Sequence, residues 1–153
     1  LEENKLEFEK EMLVSASKKS SKNTTMYSPA QLAYAGDAVY EMLVRSYIIK
    51  NNDINVNKMH RLTVKFVKAK AQAYIVSKLD NELTDEEKTI VKRGRNAKVT
   101  SSPKNAELMD YRYATGFEAL VGYLYLNDEL DRLMELFEKI IEIIEKDEEH
   151  ENN

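Results

Sequence analysis

Ser28-Pro29-Ala30-Gln31-Leu32-Ala33-Tyr34-Ala35-Gly36-Asp37-Ala38-Val39-Tyr40-Glu41 reads as a sharp helix start followed by a helix with almost no polar surface. Ser28 can cap, Pro29 suits the first helical position, and Gln31 can close a capping box, so a helix is predicted from here to about Lys50. At about 100° per residue, Leu32, Gly36, Val39, Leu43 and Tyr47 share one face, while Ala33, Ala35, Ala38 and Met42 make the rest nearly apolar. A helix apolar almost all round is expected at the centre of a fold. Its one charge between Asn23 and Tyr40 is Asp37, with Ala33 and Gly36 beside it. Room next to that carboxylate is expected to admit a ligand, a water or a close helix.

A second stretch has the same character. Between Tyr113 and Asn127 the only charge is Glu118, flanked on the wheel by Tyr111, Ala114, Thr115 and Gly122. Gly116 and Gly122 inside a helix each cost roughly 1 kcal/mol relative to Ala, a cost usually tied to close packing or ligand approach. An ionised carboxylate on a buried helix needs a partner or a metal. Two such groups without neighbouring Lys or Arg suggest a shared cation. Mg²⁺ fits, because it takes oxygen ligands and typically binds one or two carboxylates plus substrate phosphates. Such an ion can orient water for attack on phosphorus. Asp37 and Glu118 are therefore the candidate metal ligands and catalytic groups. Glu41, four residues after Asp37, could join the site or pair with Arg45. The structural alternative is that both carboxylates cap or hydrogen-bond neighbouring helices.

Charge is unevenly spread. The 153 residues carry a net −4, but residues 44–104 hold 14 basic and 6 acidic groups, and residues 105–153 hold 4 and 14. Lys58–Lys70 and Lys92–Lys104 contain no acid at all. Such a local basic surface can bind phosphates; otherwise it is a solvated face and a charged loop. With no Cys, disulfides, thiol nucleophiles and Cys-ligated zinc are excluded. No apolar run suits a membrane span, no signal-peptide pattern opens the chain, and no dinucleotide cofactor is expected. The expected compartment is the cytoplasm.

With only four Gly and two Pro and no strand pattern, an all-α fold is predicted. Residues 1–26 read as an extension, with a short amphipathic helix through Leu6, Phe8, Met12 and Leu13 and then a linker. Residues 27–146 read as the principal domain and 147–153 as an acidic tail. One helix is predicted over Asn57–Leu79, a second capping box at Thr84-Asp85-Glu86-Glu87 opens a helix to about Arg93, and Gly94–Ser102 reads as a loop. Ser102-Pro103 marks another start, followed by helices over Tyr111–Leu126 and from Leu130 to about Lys146.

Leu32–Glu41, built around Gly36-Asp37-Ala38, resembles the signature helix of the ribonuclease III catalytic domain. Phe117-Glu118-Ala119-Leu120-Val121-Gly122 is similar to that family's second acidic motif. Lys92-Arg93-Gly94-Arg95-Asn96-Ala97-Lys98 and Tyr111-Arg112-Tyr113 resemble the bacterial Mini-III ribonucleases. The resemblance implies an all-helical homodimer that cuts double-stranded RNA with Mg²⁺ and matures the ends of the large-subunit (23S) ribosomal RNA precursor. It implies that Asp37 and Glu118 are the essential acids. Ala30 and Thr115 stand where full-length members of the family have two further acids. RNA contacts are expected from Lys70, Arg93, Arg95, Asn96, Lys98 and Lys104, with Glu41 and Thr115 as neighbours of the metal ligands. Two other classes remain: an inert RNA-binding dimer of the same fold, and a helical protein-interaction module whose acidic last helix docks a basic partner.

Overall fold

The computed structural model describes residues 6, 7, 9, 10, 23–97 and 106–153. Among them, residues 6, 7, 9 and 10 are helical, and six further α-helices follow: α1 Pro29–Asn51, α2 Val56–Val67, α3 Ala69–Leu79, α4 Asp85–Arg95, α5 Ala106–Leu126 and α6 Leu130–Glu151. Short 3₁₀ turns at Thr24–Met26 and Asp80–Glu82 precede α1 and follow α3, and there is no strand among the described residues. The all-α expectation holds.

Both expected capping boxes form. Ser28 Oγ accepts from the Gln31 amide at 3.1 Å, and Gln31 Oε1 accepts from the Ser28 amide at 2.9 Å. Thr84 and Glu87 repeat the exchange at the head of α4. The Asn127-Asp128 break is a tight reversal, with Asp128 at φ 59° and the Glu129 amide donating back to the Leu124 carbonyl. Asp is one of the few residues that tolerates this left-handed region.

Four boundaries differ from the sequence reading, one of them the start of α5, which lies at Ala106 rather than Tyr111. The helix expected over Asn57–Leu79 is broken at Lys68, whose backbone is extended at ψ 148°. Two buried side chains secure the break: Tyr40 Oη donates to the Phe66 carbonyl at 3.0 Å, and Gln72 Nε2 donates to the Val67 carbonyl at 3.1 Å. Gly94 lies inside α4 rather than in a loop. The last helix continues past Lys146 to Glu151, and its Glu148 meets Lys65 at 2.9 Å.

Helix α5 is the hub, packed against α1, α3, α4 and α6. Its core neighbours include Leu32, Tyr40, Val44, Ile75, Leu79, Phe137 and Ile140 around Phe117, Leu120 and Leu124. Tyr40 stands edge-on to Phe117 with ring centroids 4.8 Å apart.

All four glycines sit where helix backbones touch. A Cβ on Gly36 would overlap the Glu118 carbonyl, and one on Gly122 would overlap that of Leu32. A Cβ on Gly94 would lie 2.7 Å from the Gly116 Cα, and one on Gly116 would lie 2.6 Å from the Val91 carbonyl. Any side chain at these positions would push α5 away from α1 or α4. The glycines thus fix two crossings, and the α1–α5 crossing sets Asp37 beside Glu118.

A two-carboxylate cavity as candidate active site

Asp37 and Glu118 line one cavity of about 380 Å³, with Ala30, Ala33, Gly94, Ala97, Arg112 and Thr115 among its other walls. Three helices meet there, joined by the glycine crossings. The small side chains keep the space open, as expected for Ala33 beside Asp37. At Gly36, however, the missing side chain admits the α5 backbone rather than a ligand.

The two carboxylates are not equivalent. The expectation that both are buried fails for Asp37, which is exposed. The cause is the outer side of α1, where Tyr34, Ala38, Met42 and Ile49 face outward and Tyr34 is 85% exposed. Glu118 is half-buried. Desolvation, and then the negative charge of Asp37, push its carboxyl up to about 7, against a lowering contribution from Gln72. A carboxyl whose proton affinity is raised by a neighbouring acid favours either a proton or a cation between the two.

Gln72 was not anticipated from sequence. It is 2% exposed on α3, donates to the Val67 carbonyl, lies near enough to Glu118 to favour its charged form, and its Oε1 is buried without a partner. A glutamine on the apolar face of α3, with Ile75, Val76 and Leu79, was the available signal, since such a group must find partners.

Thr115 lines the cavity, and its hydroxyl donates to the Tyr111 carbonyl at 3.0 Å. Glu41 accepts from the Arg45 guanidinium at 2.7 Å and does not line the cavity. Among the described residues no group of three or more His, Cys, Asp or Glu comes together. The donor set is thus two carboxylates, which suits a hard cation that keeps most of its water and does not suit a closed transition-metal site. Two carboxylates opening on one cavity are thus a donor set that fits a divalent ion.

The basic residues divide into groups. Lys70, Lys92 and Arg95 line a groove of about 830 Å³ between α3, α4 and α5, with Lys88, Tyr74, Met109 and Tyr113. Lys88 was missed by the sequence reading. The end of α4 separates the two spaces: Gly94 and Ala97 face the cavity, Lys92 and Arg95 the groove. Arg95 lies over the Tyr113 ring, 5.5 Å from its centroid, and Asn96 caps α4. Arg93 turns to the N-terminal side and donates to the Thr25 and Tyr27 carbonyls at 3.4 and 3.5 Å. Lys98 and Lys104, like the Ser102-Pro103 helix start, lie outside the described residues.

An all-helical fold with two acids at a glycine-tight crossing and a basic groove alongside suits phosphodiester hydrolysis. Residues 30–129 match the Ribonuclease III domain family. The chain is 50% identical to a Mini-ribonuclease 3 of Clostridium tetani over 125 residues, covering 81% of this chain and 83% of that one. It is also 50% identical to a Mini-ribonuclease 3 of Thermoanaerobacter over 119 residues, 78% of this chain and 84% of that one. A crystal structure of a Fusobacterium nucleatum protein superposes with a TM-score of 0.70 at 31% identity, covering 80% of this chain and 98% of the other. The chain belongs to the ribonuclease III family. It is an endoribonuclease of the ribonuclease III type, similar over most of its length to Mini-ribonuclease 3 proteins.

Proposed function

We propose that this protein is a Mg²⁺-dependent homodimer that cuts double-stranded RNA in the cytoplasm, with the large-subunit ribosomal RNA precursor as its substrate. The observation that carries the reading is the pair Asp37 and Glu118 in one small cavity beside a basic groove. Asp37 and Glu118 would hold the ion, and Gln72 would keep the Glu118 carboxylate oriented. When bound, such an ion supplies an activated water and neutralises charge on the phosphate. Lys70, Lys88, Lys92 and Arg95 then hold the RNA backbone. A-form RNA is recognised mainly by shape and phosphate, so a small domain can bind it through such a groove.

The dimer is supported by the exposed stripe of α1. Tyr34, Ala38, Met42 and Ile49 fall on one side of that helix, and three of these four are large apolar side chains left in solvent by the single chain. The cytoplasm is consistent with the lack, among the described residues, of any helix long and apolar enough to cross a membrane.

The test is incubation of duplex and single-stranded RNA with the protein, with Mg²⁺ and with chelator. Mg²⁺-dependent cutting of duplex alone is expected, with precursor ribosomal RNA ends cut in preference to an arbitrary duplex. Binding without cutting would favour the inert dimer, and no RNA affinity would favour the protein-interaction module.

A further inference from the structure

Among the described residues, Arg112 is the one cationic side chain lining the carboxylate cavity. It lies on α5, three residues before Thr115 and six before Glu118, so successive turns of one helix carry the guanidinium, the hydroxyl and the acid to the same space. The side chain is half-buried, and its Nε is buried with no hydrogen-bond partner. An arginine beside two carboxylates would ordinarily pair with them. Here no ion pair joins Arg112 to Asp37, Glu118 or any other acid among the described residues. An unpaired, buried guanidinium N–H is costly and needs an explanation; with Nε closed off, the terminal nitrogens are the donors that an anion in the cavity would meet.

The chemistry of the site supplies that anion. In phosphodiester hydrolysis the water oxygen bonds to phosphorus, one ester P–O bond breaks, and a proton from the water ends on the departing oxygen. Between these events phosphorus carries more negative charge than in the ground state. Asp37 and Glu118 cannot stabilise that charge except through a cation. A guanidinium matches the fork of two phosphate oxygens and keeps its proton throughout.

We propose that Arg112 is a catalytic residue that donates to a non-bridging oxygen of the scissile phosphate and stabilises the charge that develops there. This rests on the reading of the cavity as a phosphodiester-cleaving site. It gives the Tyr111-Arg112-Tyr113 segment a chemical role distinct from the groove, whose cations position the RNA backbone.

The test uses the full chain with Arg112→Met, which keeps the length of the side chain, and Arg112→Lys, which keeps the charge and loses the fork. Single-turnover cleavage at saturating duplex RNA is measured beside duplex affinity without divalent metal and the melting temperature. Loss of one preorganised donor typically costs about 10²–10³ in rate. Arg112→Met is expected to lose that much with affinity changed only a few-fold, and Arg112→Lys to recover part of it. The specific readout is a phosphorothioate at the scissile position. If Arg112 contacts the substituted oxygen, the sulfur effect seen with the parent protein shrinks in Arg112→Met. Rates within about threefold of the parent in both variants would overturn the proposal, as would a loss of affinity or stability with an unchanged saturating rate. If Arg112→Met fails to fold, Arg112→Lys decides alone, and a parental rate and sulfur effect there overturn it. A parent protein that cuts no duplex removes the reading of the site itself, whereas a parent that cuts as well as its Arg112 variants removes only the role of Arg112.

Discussion

Gly36→Ala adds one methyl group at the point where α1 meets α5. That methyl would overlap the Glu118 carbonyl and lie 2.8 Å from the Gly122 amide nitrogen. Both obstacles are backbone, so no rotamer change can relieve the contact, and the two helices must separate. Overpacking of a tight core costs roughly 1–3 kcal/mol, and a backbone clash belongs at or beyond the upper end. Ala returns about 1 kcal/mol through its better helix propensity. The net loss is then about 2 kcal/mol, a fall in melting temperature of roughly 4–8 °C for a domain of this size. Separation also moves Asp37 away from Glu118, and a displacement of about 1 Å in a catalytic group can cost on the order of a hundredfold in rate. Thermal unfolding by circular dichroism and single-turnover cleavage of duplex RNA should therefore both report the change. An unchanged or raised melting temperature with full cleavage is what an unconstrained helical glycine would give, and it would refute the crossing as the device that assembles the site.

A second glycine-independent lock is the half-buried Arg132, which grips the buried Glu87 through Nε at 3.0 Å and Nη2 at 2.9 Å. Arg132→Met should destabilise the fold by about 2–3 kcal/mol, less than for a fully buried pair because Arg132 reaches the surface. Burial alone would push the Glu87 carboxyl up, but hydrogen bonds from Arg132 and Thr84 outweigh it and hold it below the ordinary range. Its contribution is thus present above the unfolded carboxylate value and lost as pH falls through the folded one, and acid unfolding of Arg132→Met should show less of that loss. Glu118 has the opposite sign. Its carboxyl is raised from 4.5 to about 7, so without metal the fold should lose stability as pH rises across that interval. Glu118→Gln should remove this loss, raising the metal-free melting temperature at pH 8 and barely changing it at pH 4. Lys88→Ala with Lys92→Ala should weaken duplex binding across sequences and flatten its salt slope by about one unit per lost phosphate contact, leaving the saturating cleavage rate nearly unchanged.

The parts of this fold legible in the sequence were those specified locally. Ser28, Pro29 and Gln31 announce α1 within four residues, and Thr84 and Glu87 do the same for α4, because a capping box is a contact between near neighbours. The two candidate acids stood out because each is the only charge in a long apolar stretch. What escaped depends on residues far apart in the chain. Lys68 gives no breaker signal; the break there is secured by Tyr40, 26 residues from its partner Phe66, and by Gln72. Gly94 after a basic run resembles a helix stop, but it is held inside α4 by Gly116 of α5. Asp37 was expected to be buried because its helix is apolar all round, and sequence alone does not say that Tyr34, Ala38 and Met42 face outward in a single chain. The charge of Glu87 is hidden in a pair with Arg132, 45 residues away.

The most direct measurement is duplex RNA cleavage by Asp37→Asn and Glu118→Gln, with binding and folding followed in parallel. Each change keeps the size of the side chain and removes one negative charge from the cavity. Cleavage should be abolished in both, while duplex affinity without metal and the circular dichroism spectrum match those of the parent. Near-normal turnover by either variant would mean that the two carboxylates are structural and that the catalytic centre lies elsewhere on the domain.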